Sequence, residues 1–130
     1  MGVMKLSSQV TFLYFTDMEK AKFFFDEVLQ LERAYDPGWA CVWRTGAGAF
    51  VGAVDVQEGS IEVQNRGGVL VSLTVHNIEE VRAHILNYIP DVSEIKQVKE
   101  LDLKSCFLTG PEGYSFEIQQ FTSGELSQLF

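Results

Sequence analysis

The order strand, helix, strand, strand, strand runs through this chain twice, and that repetition limits the fold more than any single residue does. The two helix starts, Asp17 and Asn77, stand 60 positions apart. In the first copy, Gln9 to Thr16 (QVTFLYFT) reads as a strand, and Asp17 offers a carboxylate to the free N–H groups of the helix that follows. Ala21, Phe24, Val28 and Leu31 recur at helical spacing across Met18 to Leu31, giving one buried stripe that Phe23 and Phe25 widen. Arg33 to Tyr35, Trp39 to Arg44 and Ala49 to Val56 are extended, separated by the Asp36-Pro37-Gly38 turn and the Gly46-Ala47-Gly48 hairpin. Glu58 to Gly68 is a polar, glycine-bearing link between the copies.

The second copy opens with the strand Val69 to Val75. Asn77 and Glu80 stand at capping-box spacing, and Ile78, Val81, Ile85 and Leu86 form the buried stripe of a helix that ends before Pro90. Glu94 to Lys99, Lys104 to Thr109 and Tyr114 to Phe121 are three further strands, and Thr122 to Phe130 is a short polar tail. The spacing therefore predicts an α+β chain of two βαβββ modules, about 8–57 and 68–121, in one domain, with the tail over 122–130. One helix covers one face of a short sheet. The opposite face is left for side chains, a partner or a ligand to fill.

Composition narrows the function. A net charge of −8 argues against a nucleic-acid groove or an anionic membrane surface. The apolar runs are too short for a membrane span, and the opening MGVMKLSSQV lacks the apolar stretch of a signal peptide, so a cytoplasmic protein is expected. Cys41 and Cys106 sit in strand-like segments without metal or redox spacing and read as buried, reduced thiols. No Ser/His/Asp or Cys/His constellation can be placed.

The most specific stretch is Pro111 to Phe121, PEGYSFEIQQF. A turn feeds a strand in which Phe116 and Ile118 point one way and Ser115, Glu117 and Gln119 the other. This stretch, with Thr16-Asp17-Met18-Glu19-Lys20-Ala21 leading into Phe23-Phe24-Phe25 and Val28-Leu29-Gln30-Leu31, and Val75-His76-Asn77 with Glu80-Val81, resembles the vicinal-oxygen-chelate superfamily. That superfamily includes glyoxalase I, bleomycin-resistance proteins, fosfomycin-resistance enzymes and extradiol dioxygenases. The resemblance spans Val10 to Phe121 and implies modules whose sheets curl into a cup with the helices outside. In metal-dependent members the cup holds a divalent ion, on His, Gln or Glu ligands from the first and last strand of each module. Here those positions fall on Val10, Gly52, Leu70 and Glu117, and only Glu117 carries a donor atom. No metal and no cofactor are therefore expected.

Strand parity places Val10, Phe12 and Tyr14, then Leu70, Ser72 and Thr74, then Ser115, Glu117 and Gln119, on the inward face. Trp39 and Trp43 share one parity and serve either as ligand walls or as core or dimer-interface residues. Phe12, Tyr14, Trp39, Trp43, Ser72, Thr74, Ser115, Glu117 and Gln119 are the candidate ligand-binding residues. Aromatic walls with one acid suit a small aromatic or cationic molecule. The resemblance to metal-independent bleomycin-resistance proteins makes sequestration of such a ligand, including an antibiotic, the leading reading, in a homodimer. The alternatives are a lyase, isomerase or dioxygenase-type enzyme with Glu117 as general base or metal ligand, and a ligand-free regulatory or structural dimer.

Overall fold

The computed structural model describes residues 2–130, and the chain divides into a unit ending at Gln64 and a second unit, Asn65–Phe130. The first unit runs β1 (Gln9–Phe15), α1 (Met18–Phe23), β2 (Glu32–Tyr35), β3 (Ala40–Gly46) and β4 (Ala49–Asp55). The second runs β5 (Leu70–Thr74), α2 (Ile78–Leu86), β6 (Lys96–Val98), β7 (Leu103–Thr109), β8 (Ser115–Phe121) and α3 (Gly124–Leu129). Each unit has a four-stranded mixed sheet, in the order β1-β4-β3-β2 and β5-β8-β7-β6. In both, the first strand pairs parallel with the last, and the remaining pairs are antiparallel. This is the α+β, twice-written βαβββ order that the spacing predicts.

In the first unit the covered face of the sheet carries Leu13, Phe15, Cys41, Trp43, Val51 and Ala53, all buried and joined by cross-strand pairing. The helix supplies an aromatic pile against it. Phe25 lies 4.6 Å from the Trp43 ring and meets Phe15 and Phe24 edge-on, at 6.2 Å and 5.3 Å. Such pairs add about 0.5–1.5 kcal/mol beyond area burial. One continuous α-helix over Met18 to Leu31 is not what forms. After Phe23 the chain widens into a π-helical turn over Phe24–Val28, closed by Leu29 N–H donating to the Phe24 carbonyl (3.0 Å). The wider turn buries the adjacent Phe24 and Phe25 together with Val28 and leaves Phe23 exposed. Asp26, on the same turn, accepts from Trp43 Nε1 (2.7 Å) and pairs with Arg33.

Arg33 and Lys22 both reach Asp36, at 2.8 Å and 3.2 Å, so a charged clasp ties the helix to β2 and the turn after it. Burial pushes the Asp36 carboxyl up, but the Lys22 hydrogen bond, the Gly38 N–H and the two cations outweigh it and hold the group below its ordinary value.

The covered face of the second unit sets the Phe116 ring among mainly aliphatic side chains. Phe116, Ile118, Cys106 and Leu108 from β8 and β7 meet Ile78 and Ile85 of α2, all buried. Asn77 Oδ1 accepts from Glu80 N–H at 3.2 Å, as the capping box predicts, and Gln120 Oε1 accepts from Ile78 N–H at 2.9 Å. The β7–β8 hairpin turns through Glu112 and Gly113, both at positive φ (61° and 89°). Glycine takes that conformation freely, whereas Glu112 is held there with an ion pair to Arg66 at 3.0 Å. The tail is more ordered than its composition predicts: Ser123 caps α3 by accepting from Leu126 N–H at 3.2 Å. Both cysteines are free, and burial pushes both thiols up.

Candidate functional site

The candidates divide between the two units. In the second, β5 and β8 run side by side with Leu70 opposite Ser115, Ser72 opposite Glu117 and Thr74 opposite Gln119. All six project from the face that α2 does not cover, because Val71, Leu73, Phe116 and Ile118 have the other parity. The pairing is chemical as well as geometric. Ser72 Oγ donates to Glu117 Oε1 at 2.7 Å, and Gln119 Nε2 donates to Thr74 Oγ1 at 3.0 Å. On the other side of β8, Phe107 stands opposite Glu117 and is half exposed. A carboxylate thus sits between a hydroxyl and an aromatic ring, on an open sheet face. Its partner is Ser72. Arg44 pairs with Glu32 (2.9 Å) and lies over the Phe50 ring (5.0 Å).

Phe107 is absent from the sequence-derived candidates. The signal that finds it is the hairpin register: a turn spanning Gly110 to Tyr114 sets Leu108 against Phe116 and therefore Phe107 against Glu117. Phe107 and Ser115 also line a depression of about 150 Å³ with Thr109 and Asp91.

In the first unit the four aromatic candidates part company. Phe12 is 48% exposed on the open face. Tyr14 has the same parity but is only 9% exposed, because the link after β4 folds back over it. Tyr14 packs with Ala40, Val54, Val56 and Val63, and its hydroxyl accepts from Ser60 N–H at 2.9 Å. Gly59 lies directly on the ring, where a Cβ would collide. Trp39 precedes β3 and is 50% exposed. Trp43 is 0% exposed and sits under the helix with its indole N–H on Asp26, so it is a core residue rather than part of an open-face wall. Trp43 faces the helix because it pairs with Val51, whose parity is that of Leu13 and Phe15.

The residues at the positions where the resemblance implies metal ligands do not fit a divalent ion. Val10 pairs with Phe50 and Leu70 with Ser115, and neither Val10 nor Leu70 has a donor atom. Gly52 lies beneath the Phe12 ring, where a built Cβ would stand 2.6 Å from Cδ1 and 3.3 Å from the Cys41 carbonyl oxygen. A ligating side chain at 52 would first have to displace that ring. Among the described residues, no three His, Cys, Asp or Glu are grouped so as to hold a metal ion. His76 follows β5 and His84 lies on α2 beside Tyr88, with ring centroids 5.4 Å apart. No helix among the described residues is long and apolar enough to cross a membrane.

No protein-family model matches the chain, and no curated protein does. Solved structures match over almost its full length. Lactoylglutathione lyase from Agrobacterium tumefaciens superposes with a TM-score of 0.69 at 20% identity, covering 90% of this chain and 92% of that one. The genomically encoded fosfomycin resistance protein FosX from Listeria monocytogenes gives 0.70 at 14% identity, covering 97% and 99%. TioX from Micromonospora sp. ML1 gives 0.71 at 18% identity, covering 88% and 98%. The chain has the glyoxalase-type fold of the vicinal-oxygen-chelate proteins.

Proposed function

We propose that this protein binds a small organic molecule on the open face of its second sheet, with Glu117 as the polar anchor and without a divalent metal. One observation carries the reading. The Glu117 carboxylate is bonded to the neutral Ser72 hydroxyl beside the exposed Phe107 ring, and of the four positions where the resemblance implies ligands only Glu117 carries a donor atom. A carboxylate that shares a face with an aromatic ring suits a ligand with a cationic or hydrogen-donating group on a planar body. Antibiotics fall within that description, and the resistance function named for FosX makes them the first compounds to try.

The test is a thermal-shift screen of antibiotics and small aromatic amines on the intact chain, with parallel elemental analysis. A ligand at a hundred times its Kd adds about 2.7 kcal/mol of stability, a rise of several degrees. Glu117→Gln keeps the shape and removes the charge, and should weaken such a ligand about tenfold or more. Unchanged ligand shifts in that variant, or stoichiometric, tightly held zinc, nickel, manganese or iron, would overturn the reading.

A further inference from the structure

At the end of the open face, where β5 and β8 finish, the second unit contains a cavity of about 180 Å³. Phe121 and Phe130 form its aromatic side, their rings stacked 4.9 Å apart at 17°. Thr74, His76, Gln120 and Ser127 form its polar side. Along the strands the cavity begins at Thr74, level with Gln119 and about 7 Å from Glu117, and extends to Phe121, about 13 Å from it, so its centre lies apart from the carboxylate.

Three properties define what it would take. Size comes first. A protein cavity of about 150 Å³ accepts one benzene ring, while drug-sized ligands fill about 300 Å³ or more. This cavity therefore suits a single ring with one small substituent. Charge is second. No Lys, Arg, Asp or Glu lines it, the first turn of α2 carries Glu79 and Glu80, and the Ile78 N–H is already taken by Gln120. An anion meets no Lys or Arg there, only the neutral donors and the His76 ring, and a cation meets no Asp or Glu side chain. Hydrogen-bonding capacity is third. Thr74 Oγ1 accepts from Gln119, which leaves its O–H to donate. Ser127 Oγ donates to the Phe121 carbonyl (3.2 Å), which leaves its lone pairs to accept. The Gln120 carbonyl is occupied, which leaves its NH2 group as donor. A group that both gives and receives a hydrogen bond, a hydroxyl, matches that rim.

The geometry points to a second binding site at the ends of β5 and β8, for an uncharged single-ring aromatic bearing a hydroxyl group. Phenol is the simplest probe. The ring lies against Phe121 and Phe130, and the hydroxyl meets Thr74 and Ser127.

Titration of the 15N-labelled full chain with phenol, cyclohexanol and benzoate tests it. Phenol should give saturable amide shifts at Thr74, His76, Gln120, Ser127 and Phe130. Cyclohexanol, without a π-face, should bind about three- to tenfold more weakly, and benzoate, whose charge meets no Lys or Arg, should also bind more weakly than phenol. Ser127→Leu fills the cavity and should abolish binding. Phe130→Leu keeps an apolar side chain to hold α3 in place while removing the ring, and should weaken phenol about three- to tenfold. Glu117→Gln should leave phenol affinity unchanged, whatever it does to ligands of the open face. Shifts that never saturate, shifts centred on Ser72 and Glu117 and lost in Glu117→Gln, or full affinity retained in both Ser127→Leu and Phe130→Leu would each overturn the assignment.

Discussion

The two units share an order of elements and differ in what they do with both faces of the sheet. The first packs its covered face with rings and roofs part of its open face with its own chain, so that Tyr14 becomes core. The second sets a single β8 ring, Phe116, among mainly aliphatic side chains on its covered face and leaves Ser72, Glu117, Thr74 and Gln119 paired on the open one. A repeated chain pattern therefore fixes the frame and leaves its surfaces free to diverge. One open face has turned toward stability and the other has kept hydrogen-bonding groups.

The largest effects should come from the covered faces. Phe25→Ala removes the centre of the aromatic pile and should cost about 3–5 kcal/mol, while Ile85→Ala in α2 should cost about 2–5 kcal/mol. Urea denaturation followed by near-ultraviolet circular dichroism measures both. If Phe25→Ala proved the milder of the two, the contrast between an aromatic pile and a mainly aliphatic core would fail as an account of stability. The roof over Tyr14 comes next. Gly59→Ala places a methyl group on the Tyr14 ring and should cost about 1–3 kcal/mol. Tyr14→Phe loses only the hydroxyl that accepts from Ser60 and should cost about 1 kcal/mol. The corresponding open-face change in the second unit, Ser72→Ala, exposes no buried group and should move the urea midpoint least among these.

The smallest effect is a pH dependence confined to the first unit. Folding lowers the Asp36 pKa, so the stabilisation is complete above the unfolded value. It is lost as pH falls through the folded value, which lies below the ordinary 3.8. Lys22 and Arg33 are partly exposed, so the whole contribution is about 1 kcal/mol or less. Asp36→Asn should flatten this part of the acid limb in a series of urea midpoints, leaving the stability at neutral pH lower by a similar amount. An unaltered acid limb would show that the clasp contributes nothing.

Much of the frame is legible in the residues themselves. Asp17 and Asn77 announce their helices because a short polar side chain before an apolar-periodic stretch has a specific job to do. The alternation of Phe116, Glu117, Ile118 and Gln119 gives the faces of β8 without any tertiary information. What was not legible depends on partners distant in the chain. Trp43 could not be assigned to the covered face until its pairing with Val51 was known, because parity within a strand leaves open which face the helix covers. Tyr14 has the parity of an open-face residue, and only the return of Gly59 and Ser60 across it makes it core. The π-helical turn escapes a reading at 3.6-residue spacing because an α-helix can also bury neighbours such as Phe24 and Phe25, and the bond from Leu29 N–H to the Phe24 carbonyl leaves no mark in the apolar pattern. The helix over Gly124–Leu129 has too little apolar periodicity to declare itself, although Ser123 stands at its start.

The bond between Ser72 and Glu117 has a consequence for the rate and affinity of any encounter. A free glutamate on a sheet surface samples several rotamers, and fixing one of them on binding costs about 0.5–1.5 kcal/mol. Here the neighbouring strand has already fixed it, with the hydroxyl hydrogen engaging one carboxylate oxygen. The ordering penalty falls on folding rather than on association. A molecule binding there as proposed would meet an acceptor that Ser72 has already oriented.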